Sequence, residues 1–281
     1  MKLGVNTFIW TSEFTRANLD LLPRIREAGF DGVELPVAQP ATFPTADVRR
    51  ALDANDLGCT VCSVILQDYS LVDDDAGVRR RTQQHVRDVV RVAADLGTSL
   101  LNGPLYAPVG YLPGRRRTDD EWQRAIEGYQ ALTDDLDAHG MTLAIEPLNR
   151  FETYFLNTAS DAKALCDAVG HQRVGAAFDT FHANIEEKDV AAACRLLGGH
   201  LKHVQASEND RGTPGSGHVD WKGLFAVLGE LGYDEWVTIE SFGPNLGAFS
   251  SAVCIWRDIE PDVESIAFDG LRFLRSGMAQ S

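Results

Sequence analysis

Short apolar runs and amphipathic stretches alternate eight times along this chain, and that alternation limits the possible folds more than any other feature. The runs lie at 3–9, 32–37, 59–66, 99–105, 142–146, 174–179, 200–206 and 236–241. Between and after them, apolar spacing predicts helices over 19–28, 46–55, 78–96, 119–139, 159–168, 190–197, 221–231 and 263–275. Gly29, Gly97 and Gly140 stand where these helices should stop, and Thr118 and Asp220 stand where N-caps belong. Strands joined by helices pair in parallel, because a crossover of that length returns the chain in the same direction. Eight such units in 281 residues fit a (β/α)8 TIM barrel, read as a single domain over 1–281. A doubly wound open sheet would want a Gly-rich turn after its first strand, and no glycine occurs between Gly4 and Gly29.

Charge narrows the partners. There are 26 Lys plus Arg against 41 Asp plus Glu, a formal net charge of −15. Such a field repels nucleic acid and anionic membrane. No apolar run reaches the roughly 18–20 residues of a membrane helix. The first residues, Met1 to Asn6, lack the apolar core and small-residue cleavage site of a secretory leader. The expectation is a cytoplasmic protein without nucleic-acid or membrane partners. Five cysteines, an odd count, agree with a reducing compartment. Cys59-x-x-Cys62 lies in a strand, where residues three apart face opposite sides, so the two thiols should not meet.

The chemistry gathers at strand ends. Glu146 closes the fifth run just before Pro147, which cannot extend a ladder. Asp179 closes the sixth, His203 and Gln205 lie on the seventh, and Glu240 lies near the end of the eighth. In a barrel these ends converge on the face that carries active sites. Crowded carboxylates raise one another's pKa unless a cation neutralises them, so a divalent metal is the simplest partner. The competing reading is that each acid caps a helix or pairs with a nearby arginine. His203 and Gln205 share one side of their strand, with Gln205 nearer the mouth as a neutral oxygen ligand and His203 deeper in support. Oxygen donors favour Mn²⁺ or Mg²⁺ over zinc. Segments 106–117 and 208–219 read as loops over the site. Gly215-x-Gly217 reads as a flexible loop and Arg115-Arg116-Arg117 as a solvated turn. Phe8, Trp10 and Tyr106 are each either pocket wall or plain core.

Several segments carry a family resemblance: Glu146-Pro-Leu-Asn-Arg-Phe-Glu152, Phe178-Asp-Thr-Phe-His-Ala-Asn-Ile-Glu186, Glu208-Asn-Asp-Arg-Gly-Thr-Pro-Gly215, Ile239-Glu-Ser-Phe242 and Val253-Cys-Ile-Trp-Arg-Asp258. In them the chain resembles the sugar phosphate isomerase/epimerase superfamily of xylose isomerase-like barrels, and within it the D-tagatose and D-allulose (psicose) ketose 3-epimerases. The resemblance implies a metal on Glu146, Asp179, a strand-seven ligand and Glu240. It makes Glu146 and Glu240 the acid–base pair, and sets Glu152, His182 and Arg211 against the carbonyl end of a small sugar. Counted back from Arg211, the family's metal-binding histidine falls on Gln205. The expected cofactor is a divalent metal, Mn²⁺ first, with Mg²⁺ or Co²⁺ as substitutes. The expected assembly is a homodimer or homotetramer. The expected reaction is inversion of the carbon beside the carbonyl of a free keto sugar through an enediolate. The alternative is a related sugar or inosose isomerase, or a 3-keto-sugar lyase, on the same metal site. An endonuclease-IV-type enzyme would need a histidine-rich zinc cluster that seven scattered histidines do not make.

Overall fold

Eight parallel strands close on themselves in chain order: β1 (Lys2–Asn6), β2 (Gly32–Pro36), β3 (Gly58–Cys62), β4 (Leu100–Gly103), β5 (Thr142–Ile145), β6 (Val174–Asp179), β7 (Leu201–Ala206) and β8 (Trp236–Ile239), with β8 bonded back to β1. The computed structural model describes residues 1–244 and 246–279. The helices around the barrel are α1 (Leu21–Ala28), α2 (Thr45–Ala54), α3 (Ala76–Leu96), α4 (Asp119–Gln130), α5 (Thr133–His139), α6 (Ala159–Val169), α7 (Thr180–Glu186), α8 (Val190–Leu197), α9 (Trp221–Glu230), α10 (Ala248–Ala252) and α11 (Val263–Met278). Among the described residues, no helix is long and apolar enough to cross a membrane.

The strand sequences set two different faces. Val5, Val33, Leu35, Val61, Leu101, Leu143, Val237 and Ile239 join helix residues such as Leu22, Ile25, Val48 and Val89 in the main core. Their alternate neighbours therefore face the barrel axis. At the N-terminal end Trp236 fills the bore: a Cβ on Gly32 would stand 2.5 Å from its indole and 2.4 Å from the Gly58 carbonyl oxygen, so only glycine fits. Above it the lining turns polar, with Glu34, Thr60, Asn102, His203 and Thr238 all buried. Cys62 faces this interior, 3.4 Å from Asn6 Nδ2, whereas Cys59 Sγ lies 3.8 Å from the Leu96 carbonyl oxygen on the helix side. The two thiols stay apart, as strand geometry requires.

Three differences from the expected elements have local causes. The helix expected over 119–139 is two helices, because the Thr133 hydroxyl donates to the Gln130 carbonyl at 2.8 Å and interrupts the ladder. The run at 59–66 is a strand only to Cys62; there the Ser63 hydroxyl turns to donate to the Val37 carbonyl. Helix α7 was not anticipated; the Asp179 side chain caps it by accepting the Phe181 N–H at 2.7 Å. Between β6 and β7 the register slips by one residue. Ala176 faces Leu201 but Ala177 faces His203, and the slip sets Asp179 opposite Gln205.

Candidate active site

Glu146 leaves the barrel one residue beyond β5, where Pro147 ends the ladder, and its backbone oxygen accepts the Tyr106 hydroxyl at 3.1 Å. Asp179 ends β6, Gln205 lies on β7, and Glu240 lies one residue beyond β8. All four are at least nine-tenths buried. Arg211, on the loop after β7, bridges the carboxylates. Its Nη1 donates to Asp179 Oδ2 at 2.7 Å, Ser207 Oγ at 2.7 Å and Glu240 Oε2 at 3.1 Å. Arg211 adopts φ 65°, a left-handed conformation that a side chain makes costly. Ser241 Oγ donates to its carbonyl, and its guanidinium packs over Phe181 and Phe242, with centroids 4.1 and 4.9 Å away. The helix-capping and arginine-pairing alternatives are both realised at Asp179: Oδ1 caps α7 while Oδ2 meets Arg211.

His182 lies on α7, with Nε2 at 3.5 Å from Glu146 Oε1 and 3.7 Å from Asp179 Oδ2. Ligand atoms of Glu146, Asp179 and His182 all fall within 4.8 Å of one another, spacing that could hold a metal ion. The histidine has a competing commitment. Its Nδ1 accepts the Asn149 backbone N–H at 3.0 Å, and the Asn149 amide nitrogen lies 2.9 Å from the same atom. In the neutral ring Nε2 therefore carries the hydrogen and acts as a donor. Arg211 Nη2 stands 3.2 Å from Nε2, so the guanidinium and the imidazole share one corner of the site. Asn149 also donates to Glu152 Oε1 at 2.7 Å, fixing that acid beside the same ring.

Electrostatics follow from this crowding. Burial, with Glu240 and Asp179 close by, pushes the Glu146 carboxyl well above the ordinary range. Burial does the same to Glu240, with Asp179 and Glu34 adding to it and Arg211 opposing. For Asp179 burial is outweighed by Arg211, His182 and the Phe181 N–H, and its carboxyl lies below the ordinary range. Burial also lowers the His182 imidazole, which favours the neutral ring. Three carboxylates and one guanidinium sum to a formal −2. Gln205 Nε2 donates to Glu240 Oε1 at 2.9 Å, which fixes the amide orientation. Gln205 Oε1, fully buried, has no hydrogen-bond partner among the described residues.

Glu146, Glu152, His182, Arg211 and Glu240 line one cleft of about 660 Å³, whose outer walls include Phe8, Phe14, Phe43, Phe242 and Phe249. Asp179 and Gln205 lie just beneath, in contact with Arg211 and Glu240. Phe8 is thus a wall, but Trp10 and Tyr106 are not. Trp10 packs against Phe268, and Tyr106 is wholly buried against Phe155. The Gly215 segment is not loose either. The buried Glu208 carboxylate accepts the N–H of Gly215 (2.8 Å), Val219 (3.0 Å) and the Trp221 indole (2.8 Å). Arg115 and Arg116 lie exposed in a turn, as read, and Arg115 and Arg117 also pair with Glu121 and Asp161, each within 3 Å. Three contributors were not anticipated: Asn6, Glu34 and Ser207. His203 supports from below as expected, with Nε2 at 2.8 Å from Glu34 Oε2.

Known proteins share this arrangement of strands. A family model described as a xylose isomerase-like TIM barrel matches residues 22–277. A probable ketose 3-epimerase of Synechocystis sp. is 34% identical over 98% of this chain and 96% of its own length. An L-ribulose 3-epimerase of Mesorhizobium japonicum is 30% identical over 99% of this chain and 94% of its own. A crystal structure of the Methylomonas sp. D-allulose 3-epimerase in complex with D-allulose superposes with a TM-score of 0.93 at 26% identity, covering 98% of this chain and 96% of that one.

Proposed function

The chain belongs to the xylose isomerase-like TIM barrel family, and from that premise we propose that it is a divalent-metal-dependent ketose 3-epimerase acting on a free keto sugar. One observation carries the reading above all. Glu146 and Glu240, from different strands, open onto one cleft at a centre whose formal charge is −2. The names of the relatives, ketose and L-ribulose 3-epimerases, agree with it.

The donor set fits a hard divalent ion. Glu146, Asp179, Gln205 and Glu240 would hold it, all through oxygen, which suits Mn²⁺ first and Mg²⁺ or Co²⁺ in its place. The unbonded Gln205 Oε1 supports this, because a buried acceptor without a partner is costly and a cation would satisfy it. His182 stays outside the set, since the hydrogen on Nε2 blocks its lone pair. When bound, such an ion polarises the ketose carbonyl and stabilises negative charge on its oxygen.

The side chains supply the rest. One of Glu146 and Glu240 takes the proton from the carbon beside the carbonyl, giving an enediolate. The other returns a proton to the opposite face, and their roles exchange for the reverse reaction. Burial raises both carboxyls above the ordinary range, and the titration belongs to the pair. His182 Nε2 and Arg211 Nη2, 3.2 Å apart and both beside the cleft, would bind a substrate oxygen that gains negative charge. Glu152, held by Asn149, would accept a neighbouring hydroxyl.

The test is Glu146→Gln and Glu240→Gln with a panel of ketohexoses and ketopentoses in D₂O. The wild type should form the 3-epimer with deuterium at that carbon, and each variant should lose about 10²- to 10⁴-fold in rate. Near-wild-type epimerisation by either variant overturns the two-base scheme. NMR of the products also separates epimerisation from the aldose or cleavage products of a related isomerase or lyase.

A further inference from the structure

The geometry points to Asn6 as a positioning residue that fixes the rotamer of Glu240, an inference resting on the role given to Glu240 above. Asn6 ends β1 and is fully buried. Its Oδ1 accepts the Phe8 N–H at 2.9 Å and caps the short 3-10 turn Thr7–Ile9. That bond decides which way the amide faces. The oxygen is committed to the backbone, so Nδ2 must turn toward the barrel axis.

There Nδ2 stands 3.0 Å from Glu34 Oε1 and 3.3 Å from Glu240 Oε1. Gln205 Nε2 donates to the same Glu240 oxygen at 2.9 Å. Glu240 Oε1 thus carries two neutral amide donors, and Oε2 is left toward Arg211 and the cleft. Among the described residues Glu146 has no comparable clamp; His182 Nε2 stands 3.5 Å from its Oε1. Glu34 Oε2 in turn accepts hydrogen bonds from Thr60 Oγ1 at 2.9 Å and Asn102 Nδ2 at 2.6 Å, with His203 Nε2 standing 2.8 Å away. Asn6 therefore ties Glu240 at the mouth to the buried polar layer below it. Proton transfer requires the reacting oxygen within hydrogen-bond reach of carbon-bound hydrogen, and small misplacements are costly. Supporting hydrogen bonds of this kind also hold metal-binding carboxylates in place.

Asn6→Ser and Asn6→Ala separate this role from the cap. Serine still caps the Phe8 N–H but is too short to reach Glu240; alanine does neither. The measurements are kcat and KM on a ketohexose, Mn²⁺ affinity by calorimetry, and the melting temperature. Both variants should lose about tenfold in kcat with KM little changed, and bind Mn²⁺ about tenfold more weakly. The serine variant should melt close to the wild type and the alanine variant lower. A serine variant with wild-type kcat and wild-type Mn²⁺ affinity overturns the inference and leaves the epimerase reading intact. If the wild type turns over no ketose, the epimerase reading fails, and Mn²⁺ affinity alone then judges Asn6: weaker binding in the serine variant supports the role, and unchanged binding overturns it.

Discussion

Gln205 brings a neutral amide to the proposed metal centre, whose other candidate ligands are carboxylates, and it is the residue whose replacement tells most. Gln205→Leu keeps the approximate shape and removes the oxygen. It should weaken Mn²⁺ binding by about 10- to 100-fold, as removal of a ligand or its support commonly does. Gln205→His substitutes nitrogen for oxygen and should shift the preference from Mn²⁺ toward Zn²⁺. Calorimetry with each ion checks both, and unchanged affinities would remove Gln205 from the ligand set. Glu146, Asp179, Gln205 and Glu240 were legible in the sequence because each ends or nearly ends a strand of one barrel. Asn6 and Glu34 were not. Glu34 sits between Val33 and Leu35 like any residue of a short strand, and its meaning depends on Asn6, Thr60, Asn102 and His203 arriving from four other strands. At Tyr106 and Trp10 the core alternative is the one realised, because aromatic residues just beyond a strand can face the core as easily as the cleft.

Two elements hold the mouth in shape, and each has a separable signature. The loop after β7 is tied through Glu208, whose carboxylate gathers N–H groups from Gly215, Val219 and Trp221. Glu208→Gln places amide hydrogens where acceptors are needed. It should speed hydrogen exchange over residues 209–219 and raise KM through a displaced Arg211. Unaltered exchange there would show that the loop does not depend on Glu208. The start of α4 is held by Glu121, which accepts the Thr118 N–H in a capping box and pairs with Arg115 and the Tyr154 hydroxyl. Burial opposes its charge, but Arg115, the Thr118 N–H and Tyr154 outweigh it and lower the carboxyl to about 2. A depressed folded value contributes stability above the ordinary glutamate range, near pH 4.3, and loses it as pH falls toward 2. The melting temperature of Glu121→Gln should therefore fall below the wild type at pH 6 and converge on it near pH 2. A difference that persists at pH 2 would assign the effect to packing instead. The Thr118 cap was evident in the sequence; Arg115 was not, because a run of arginines reads alike whether paired or free.

At the scale of the whole molecule, a cation that binds only the folded barrel must stabilise it by mass action. Saturating Mn²⁺ should raise the melting temperature by about 5–10 °C, and chelation should reverse the gain. Differential scanning fluorimetry reads both, and indifference to added ions would contradict the proposed centre. The closed parallel sheet itself was readable from eightfold alternation, since order and handedness leave such units few other ways to pack. Its fine registers were not readable, because they depend on how neighbouring strands settle. The slip between β6 and β7 shows what hangs on them. Strand seven spends one extra amino acid, Lys202, before His203 comes level with Ala177. Without the slip, with Lys202 opposite Ala177 and the ladder regular above it, Val204 and not Gln205 would come level with Asp179, and an aliphatic group would sit where an amide now meets the acids. The cleft's affinity for ions and sugars thus hangs on one slip of register, so an insertion or deletion in β7 above that slip should change this protein's chemistry more abruptly than substitutions do.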